Sequence, residues 1–234
     1  MIDLIVLSHN RLAFTEACVK NLIKNTNWQE VGGLYIFDDD SSDGTREYLQ
    51  AEKYPIKPQF RFGQYGSPVR IMNEFLYKDS QNPVFAKIDS DTMVPKHWLD
   101  ECLRVMHLHP GLDLLGIEAF RPVKSGAGVQ REFDTAAFIG GIGLMRTRAF
   151  SVSQPTPHGR HGFTSWQERH EEISKGWLNP AIPVFLLDWI PREPWLSLTR
   201  DYVNSGWNRD WSQLFPGRCP YPESRRELWS WYCK

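Results

Sequence analysis

Along the first half of the chain, short apolar runs alternate with amphipathic stretches. Ile2–Leu7 is a continuous apolar run of strand length, and the segment after it sets Phe14, Cys18, Val19, Leu22 and Ile23 on one helical face. Gly33–Phe37 predicts a second strand, running into an acidic turn. Ser67-Pro68 predicts a helix start, with Ser as cap, Pro in the first turn, and Val69, Met72 and Leu76 as the stripe. Val84–Ile88 predicts a third strand, again ending in acids. Trp98, Leu99, Cys102, Leu103 and Met106 predict an amphipathic helix stopped by Pro110-Gly111, and Leu112–Ile117 a fourth strand. Strand and helix in alternation predict an α/β fold with a mostly parallel sheet flanked by helices.

After Phe120 the pattern loosens. Lys124–Val129 reads as a Gly-containing loop, Phe138–Met145 as a Gly-rich apolar strand, and Ser151–Gly162 as a Pro/His/Gly loop. Thr164–Lys175 predicts a helix capped by Gly176. Pro183–Leu187 predicts a last strand, and Trp189 to Trp231 holds six tryptophans with weak periodicity. No repeat and no long linker divides the chain, so one domain over residues 1–234 is expected.

Composition narrows the function. A net charge of -1 supplies no global field toward nucleic acid or a membrane surface. No apolar run approaches the roughly 20 residues of a bilayer span. Ile2–Leu7 also lacks the basic flank of a secretory signal. Cys18 and Cys102 fall on apolar helical faces; Cys219 and Cys233 could pair, but a cytoplasmic chain with reduced thiols is the expectation.

The candidate chemistry gathers at strand ends, where open α/β sheets bind ligands. The first strand ends in Ser8-His9-Asn10-Arg11, the second in Asp38-Asp39-Asp40-Ser41-Ser42-Asp43-Gly44-Thr45, and the third in Asp89-Ser90-Asp91. A turn with acids at its first and third positions can aim two hard oxygen ligands at one point. That suits Mg²⁺ or Mn²⁺, whose remaining positions would take water and diphosphate oxygens. Asp, Ser and Gly are ordinary turn formers, yet three adjacent Asp repel one another and a simple turn does not need them. A carboxylate there could accept from a uracil N3–H or from ribose hydroxyls. No GxGxxG and no GK[ST] occurs, which disfavours dinucleotide and P-loop readings.

In order and spacing these segments resemble the family 2 glycosyltransferases of the GT-A (Rossmann-like) fold. The likeness covers about residues 2–105. The opening strand and polar turn look like Ile5–Arg11, and the DDGSTDGT signature like Asp38–Thr45, with Asp40 where Gly is usual. The helix start Gly-x-x-x-ARN looks like Gly66–Asn73, and the D-x-D lies within Lys87–Pro95. The resemblance implies a nucleotide-sugar-binding half over residues 1–120 and a small acceptor-side extension over 121–234, closed by the Trp-rich tail. It implies a nucleotide-sugar donor, most simply a UDP-sugar, held by Ser8, Asn10, Arg11, Asp38, Asp39, Arg70, Asp89 and Ser90. Asp91, with Asp89 directly or through water, would ligate the Mn²⁺ or Mg²⁺.

Farther on, Gly140–Arg146 looks like the family's Gly-rich strand near donor sugar and acceptor. The acidic pair that supplies the catalytic base of an inverting transfer is best matched by Glu168. Gln167 replaces its first acid, and Asp134 and Glu171 are alternatives. No His follows His170, so the family's late His ligand is missing and Asp188 is its expected substitute. His158 and His161 sit where a closing loop could touch the diphosphate. Residues 121–170 hold seven Lys/Arg against Glu132, Asp134 and Glu168, which hints at an anionic acceptor. The acceptor classes left open are a glycan and a hydroxymethylated base in DNA. A sugar-nucleotide nucleotidyltransferase would need a basic Gly-rich loop after the first strand, which Ser8–Arg11 is not. A non-catalytic carbohydrate-binding protein would leave the acid clusters unexplained.

Overall fold

The computed structural model describes residues 1–94, 96–117, 132–151, 153–155, 162–178 and the strand at 185–186. The expected loop at 124–129, His158, His161, Asp188, the Cys219–Cys233 question and the Trp-rich tail lie outside the described residues.

The apolar opening run is strand β1 (Ile2–Ser8), buried over its whole length. Its side chains alternate across the sheet. Ile2, Leu4 and Val6 join one core layer, while Ile5 and Leu7 join the other. Helix α1 (Leu12–Asn25) lays Cys18, Val19 and Leu22 into the first layer. Strand β2 (Val31–Asp39) pairs parallel with β1. Two elements that periodicity did not reveal follow, helix α2 (Thr45–Ala51) and strand β3 (Pro58–Gly63). Helix α2 is a seven-residue helix with only Thr45 and Leu49 buried, too short to show a stripe. Strand β3 is the sheet's edge, and none of its residues is fully buried, so its alternation is faint.

Helix α3 (Pro68–Lys78) starts as its sequence predicts, with Ser67 Oγ accepting from Val69 N at 3.2 Å and Pro68 in the first turn. It packs Ile71, Met72 and Phe75 into the second layer. Strand β4 (Val84–Asp89) runs parallel on the other side of β1 and is followed by the short β5 (Thr92–Met93). Helix α4 (Trp98–Leu108) returns to the first layer through Trp98, Leu99, Cys102, Val105 and Met106. Cys18 and Cys102 are buried free thiols.

The later half keeps the sheet but reverses direction in places. It adds β6 (Leu114–Gly116), β7 (Phe133–Thr135), β8 (Gly143–Arg146), α5 (Gly162–Arg169), β9 (Lys175–Leu178) and β10 (Phe185–Leu186). The large sheet has the order β3-β2-β1-β4-β8-β6-β9-β7, with β8 antiparallel to both β4 and β6. A separate pair joins β10 antiparallel to β5.

Two expectations fail here. The Gly-rich strand is ordered as β only from Gly143, and residues 138–142 form an irregular segment. The helix predicted over Thr164–Lys175 ends at Arg169, and Gly176 lies in β9 rather than capping a helix. A Cβ on Gly176 would sit 2.3 Å from the Phe133 ring, so the glycine is there for the close approach of β7. Lys175 is buried and turns its Nζ to the carbonyls of Gln167 and His170 at 2.7 and 2.6 Å, so a cation from the following strand closes the helix end.

Gly143 has φ 145°, and a Cβ there would meet the Leu115 carbonyl oxygen at 2.1 Å. Gly143→Ala is expected to cost at least about 3 kcal/mol, since positive-φ strain and a backbone clash add. Urea denaturation read by tryptophan fluorescence checks this; a midpoint equal to wild type would refute it.

Candidate active site

The carboxyl ends of β1, β2 and β4 open on one cavity of about 620 Å³. It is lined by Ser8, His9 and Arg11 after β1, by Asp39 and Asp40 after β2, and by Asp89, Ser90 and Asp91 after β4. Gln64, Gly66, Ser67 and Pro68, between β3 and α3, complete the wall. Three of the four non-glycine residues with positive φ among the described residues, Asn10 (53°), Arg11 (64°) and Asp40 (57°), stand in these strand-end turns. Left-handed backbone at non-glycine positions costs energy and clusters at functional sites. It also accounts for Asp40 standing where the signature it resembles has Gly. The position needs the left-handed conformation that Gly adopts freely, and Asp tolerates it better than most residues.

The acidic turn resolves into four carboxylates with separate sets of donors. Asp38 is fully buried and accepts from Ser8 Oγ (2.9 Å), Ser41 N (3.0 Å) and Ser41 Oγ (2.5 Å). Arg46 Nε lies 3.7 Å from it, with the guanidinium stacked on Phe62. Asp39 accepts from the backbone N–H groups of Tyr65 (2.5 Å) and Gly66 (2.9 Å). Asp40 accepts from Gln64 Nε2 at 2.7 Å. Asp43 accepts from Leu12 N (2.8 Å) at the start of α1, and from Thr45 N and Oγ1 at the start of α2. The adjacent acids therefore do not face one another unshielded.

This sorts the expected donor-binding residues. Ser8, Arg11, Asp39, Asp89 and Ser90 line the cavity, with Asp91 beside them. Asp38 does not line it: with no exposed surface and its oxygens already bonded, it holds the two turns together behind the wall. Asn10 lies one layer back, its Oδ1 accepting from Ser42 N at 2.9 Å and its N–H donating to Ser41 Oγ at 2.7 Å. Arg70 is exposed on α3, with Nη1 donating to the Tyr65 carbonyl at 3.4 Å. Gln64, Tyr65 and Arg46 escaped the sequence reading because Arg46 belongs to α2 and the other two follow β3, the two elements without a periodic signal.

Each acid of the D-x-D turn meets a cation. Asp89 Oδ1 lies 2.5 Å from Nζ of Lys87, a buried lysine two residues earlier on β4. Asp91 Oδ2 lies 3.3 Å from Arg11 Nη1, whose guanidinium covers the Phe14 ring. The Ser90 N–H donates to the Leu7 carbonyl at 2.9 Å, tying the turn to β1. A Cβ on Gly141 would meet Lys87 Nζ at 3.1 Å and Asp89 Oδ2 at 3.8 Å, so the irregular glycine segment does come up beside the acids. Beneath the turn, Cys18 donates to the Asp89 carbonyl at 3.5 Å. Burial first, then the Asp91 charge, pushes its thiol up, so it stays protonated.

Two carboxylates at one strand end are a hard oxygen pair that fits Mg²⁺ or Mn²⁺. Among the described residues no group of three or more His, Cys, Asp or Glu is arranged to hold a metal ion. The third ligand expected from the sequence, Asp188, lies outside the described residues. Strand β10 pairs Phe185 with Met93 and Leu186 with Thr92 of β5, the strand that follows the D-x-D turn.

Glu168 is exposed on the last turn of α5 and does not line the cavity, and Asp134 lies on β7. Gln167, next to Glu168, is fully buried and bonded to the backbone of Ile139. The helix is seated by a stack of Trp166 on Phe150, with centroids 4.9 Å apart and planes 5° from parallel.

The parallel β3-β2-β1-β4 order, the antiparallel continuation and the acid-lined cavity at the strand ends define the GT-A fold. TarS of S. aureus in complex with UDP-GlcNAc is similar at 17% identity and a TM-score of 0.59, over 77% of this chain and 57% of that one. A longer TarS structure is similar at 15% identity and a TM-score of 0.59, over 97% of this chain and 47% of that one. The mannosyltransferase PcManGT from Pyrobaculum calidifontis, in complex with GDP-Man and Mn²⁺, is similar at 11% identity and a TM-score of 0.60, over 99% of this chain and 68% of that one. The chain thus spans between about half and three fifths of the TarS structures it matches. No family model and no curated protein sequence matches it.

The burial of Asp38 separates its role from that of Asp39. Asp38→Ala strands the Ser41 N–H and leaves Arg46 without its buried counter-charge, and is expected to destabilise the chain by about 3 kcal/mol. Asp39→Ala, on a half-exposed residue, is expected to cost about 1 kcal/mol. Chemical denaturation of both variants checks the contrast, and equal losses would contradict it.

Proposed function

We propose that the chain is a metal-dependent glycosyltransferase that moves a sugar from a nucleotide-sugar donor to a hydroxyl acceptor, with inversion at the anomeric carbon. The observation that carries this reading is the convergence of three strand ends on one cavity, with the paired acids Asp89 and Asp91 in its wall. The neighbours solved with UDP-GlcNAc, or with GDP-Man and Mn²⁺, support a nucleotide-sugar donor and a divalent cation in general terms.

In this reading the donor nucleoside lies against Ser8, Asp39 and the Gly66–Pro68 wall. The Asp39 carboxylate, pinned by two backbone N–H groups, accepts from a uracil N3–H or a ribose hydroxyl, with a UDP-sugar the preferred donor. Arg11 and Arg70 stand at the rim as cations for the diphosphate, while Asn10 and Asp38 hold the turns that shape the cavity. Asp91 and Asp89, completed by Asp188, would hold Mn²⁺ or Mg²⁺, which neutralises charge on the leaving diphosphate. Glu168 deprotonates the acceptor hydroxyl as it attacks the face opposite the leaving group. Residues 1–120 serve the donor and 121–234 the acceptor, within a single domain. The basic bias of 121–170 favours an anionic acceptor, a glycan or a hydroxymethylated base in DNA.

Among the described residues no helix is long and apolar enough to cross a membrane.

Titration calorimetry with a panel of nucleotide sugars, with and without Mn²⁺, is the first test. A UDP-sugar is expected to bind, and Mn²⁺ to tighten it. Asp91→Ala is expected to lower turnover by about 100-fold or more, the scale of several kcal/mol of lost charge stabilisation. Full turnover in that variant, or binding indifferent to Mn²⁺, would sink the metal role. A duplex-DNA mobility shift that weakens steeply with salt selects the DNA acceptor over the glycan.

A further inference from the structure

The carboxamide of Gln167 joins α5 to the glycine segment beside the D-x-D turn. Its Oε1 accepts from Ile139 N at 2.8 Å and its Nε2 donates to Ile139 O at 3.0 Å. Both residues have no exposed surface. The N–H and C=O of one residue are matched together only by a side chain offering one donor and one acceptor side by side; a carboxylate offers two acceptors. Burial makes the match strict, because water cannot replace a lost partner. The two ends of this clamp matter for the site. Two residues beyond Ile139, Gly141 lies against the Lys87–Asp89 pair. One residue beyond Gln167 stands Glu168. The helix end is itself fixed, by Lys175 on the Gln167 and His170 carbonyls and by Trp166 Nε1 on Ser153 Oγ at 2.9 Å.

We propose that Gln167 is a positioning residue, whose carboxamide locks the Ile139 backbone N–H and C=O to α5 and so sets the Gly140-Gly141 backbone, beside Asp89, in register with Glu168. The clamp rests on the geometry alone; what it positions rests on the transferase reading above.

Gln167→Glu in the full chain tests it. Ionised, the new side chain turns two acceptors toward the Ile139 carbonyl and breaks the clamp. Protonated, its O–H donates to Ile139 O while its carbonyl accepts from Ile139 N, and the clamp returns. Burial raises such a carboxyl's pKa, bringing the change into an accessible range. The surrounding charges are Lys175, the His170–Glu172 pair, Glu168 and Arg169 on one side and Lys87–Asp89 on the other. They are common to variant and wild type, so the ratio of the two removes their titration.

The expected kcat ratio is about 100-fold down near neutral pH, the cost of a displacement of about 1 Å, and climbs back toward wild type as pH falls. Donor KM stays within about twofold, because no residue of the clamp lines the cavity. Gln167→Ala, with neither group, stays down at every pH. A ratio that does not change with pH, wild-type kcat in Gln167→Ala, or a donor KM that rises as kcat falls overturns the positioning role.

Hydrogen exchange at the Ile139 amide reads the clamp without turnover. It is expected to be protected in wild type, fast in Gln167→Ala, and protected in Gln167→Glu only at low pH. An unprotected Ile139 amide in wild type overturns the clamp itself. No sugar transfer by wild type, with exchange as expected, overturns the transferase reading and the positioning role built on it.

Discussion

A carboxylate with no exposed surface holds the first two strand ends together, and the cavity depends on it. Asp38 takes hydrogen bonds from Ser8 on β1 and from Ser41 in the turn after β2, with Arg46 nearby on α2. Around it the two turns are laced in both directions: Ser42 N to Asn10, Asn10 N to Ser41, Leu12 N to Asp43. Left-handed backbone at Asn10, Arg11 and Asp40 is uphill for each residue alone. It persists because these bonds fix both turns at once. Removing the hub therefore would not simply delete one contact; it would release three strained residues in the turns that shape the cavity.

The second electrostatic feature is the near cancellation of charge at the D-x-D turn. Lys87 faces Asp89 from inside the sheet, and Arg11 faces Asp91 from the rim. A buried lysine is expensive unless paired, so Asp89 is bound to the protein as firmly as Lys87 is bound to it. One Asp89 oxygen is engaged inward, and the other lies toward Gly141, where a Cβ would meet it at ordinary contact distance and press instead on Lys87 Nζ.

The sequence made the scaffold legible where burial is deep and regular. β1, α1, α3, β4 and α4 were visible because their apolar periods match their structure and because caps such as Ser67-Pro68 act locally. Helix α2 and strand β3 were not, since one is very short and the other is a half-buried edge. The later half misled at Gly176. A glycine after a polar helical stretch is an ordinary stop signal, but this one answers to a ring on a neighbouring strand, information that no local window contains. For the site, residue type and strand-end position singled out Ser8, Arg11, Asp39, Asp89, Ser90 and Asp91, all of which line the cavity. They could not tell Asp38 from Asp39, because that difference is one of burial between adjacent acids.

The two-residue ladder between β5 and β10 has a consequence for how the molecule assembles. Every pairing among β1, β2, β3 and β4 links neighbours within the first half of the chain, so that half can find its order early. The β5–β10 pairing instead closes a very long loop for only a short run of bonds, which makes it a late and weakly rewarded step. Any group that the chain brought to the acids by way of this ladder would thus arrive last, on a cavity that has already taken shape.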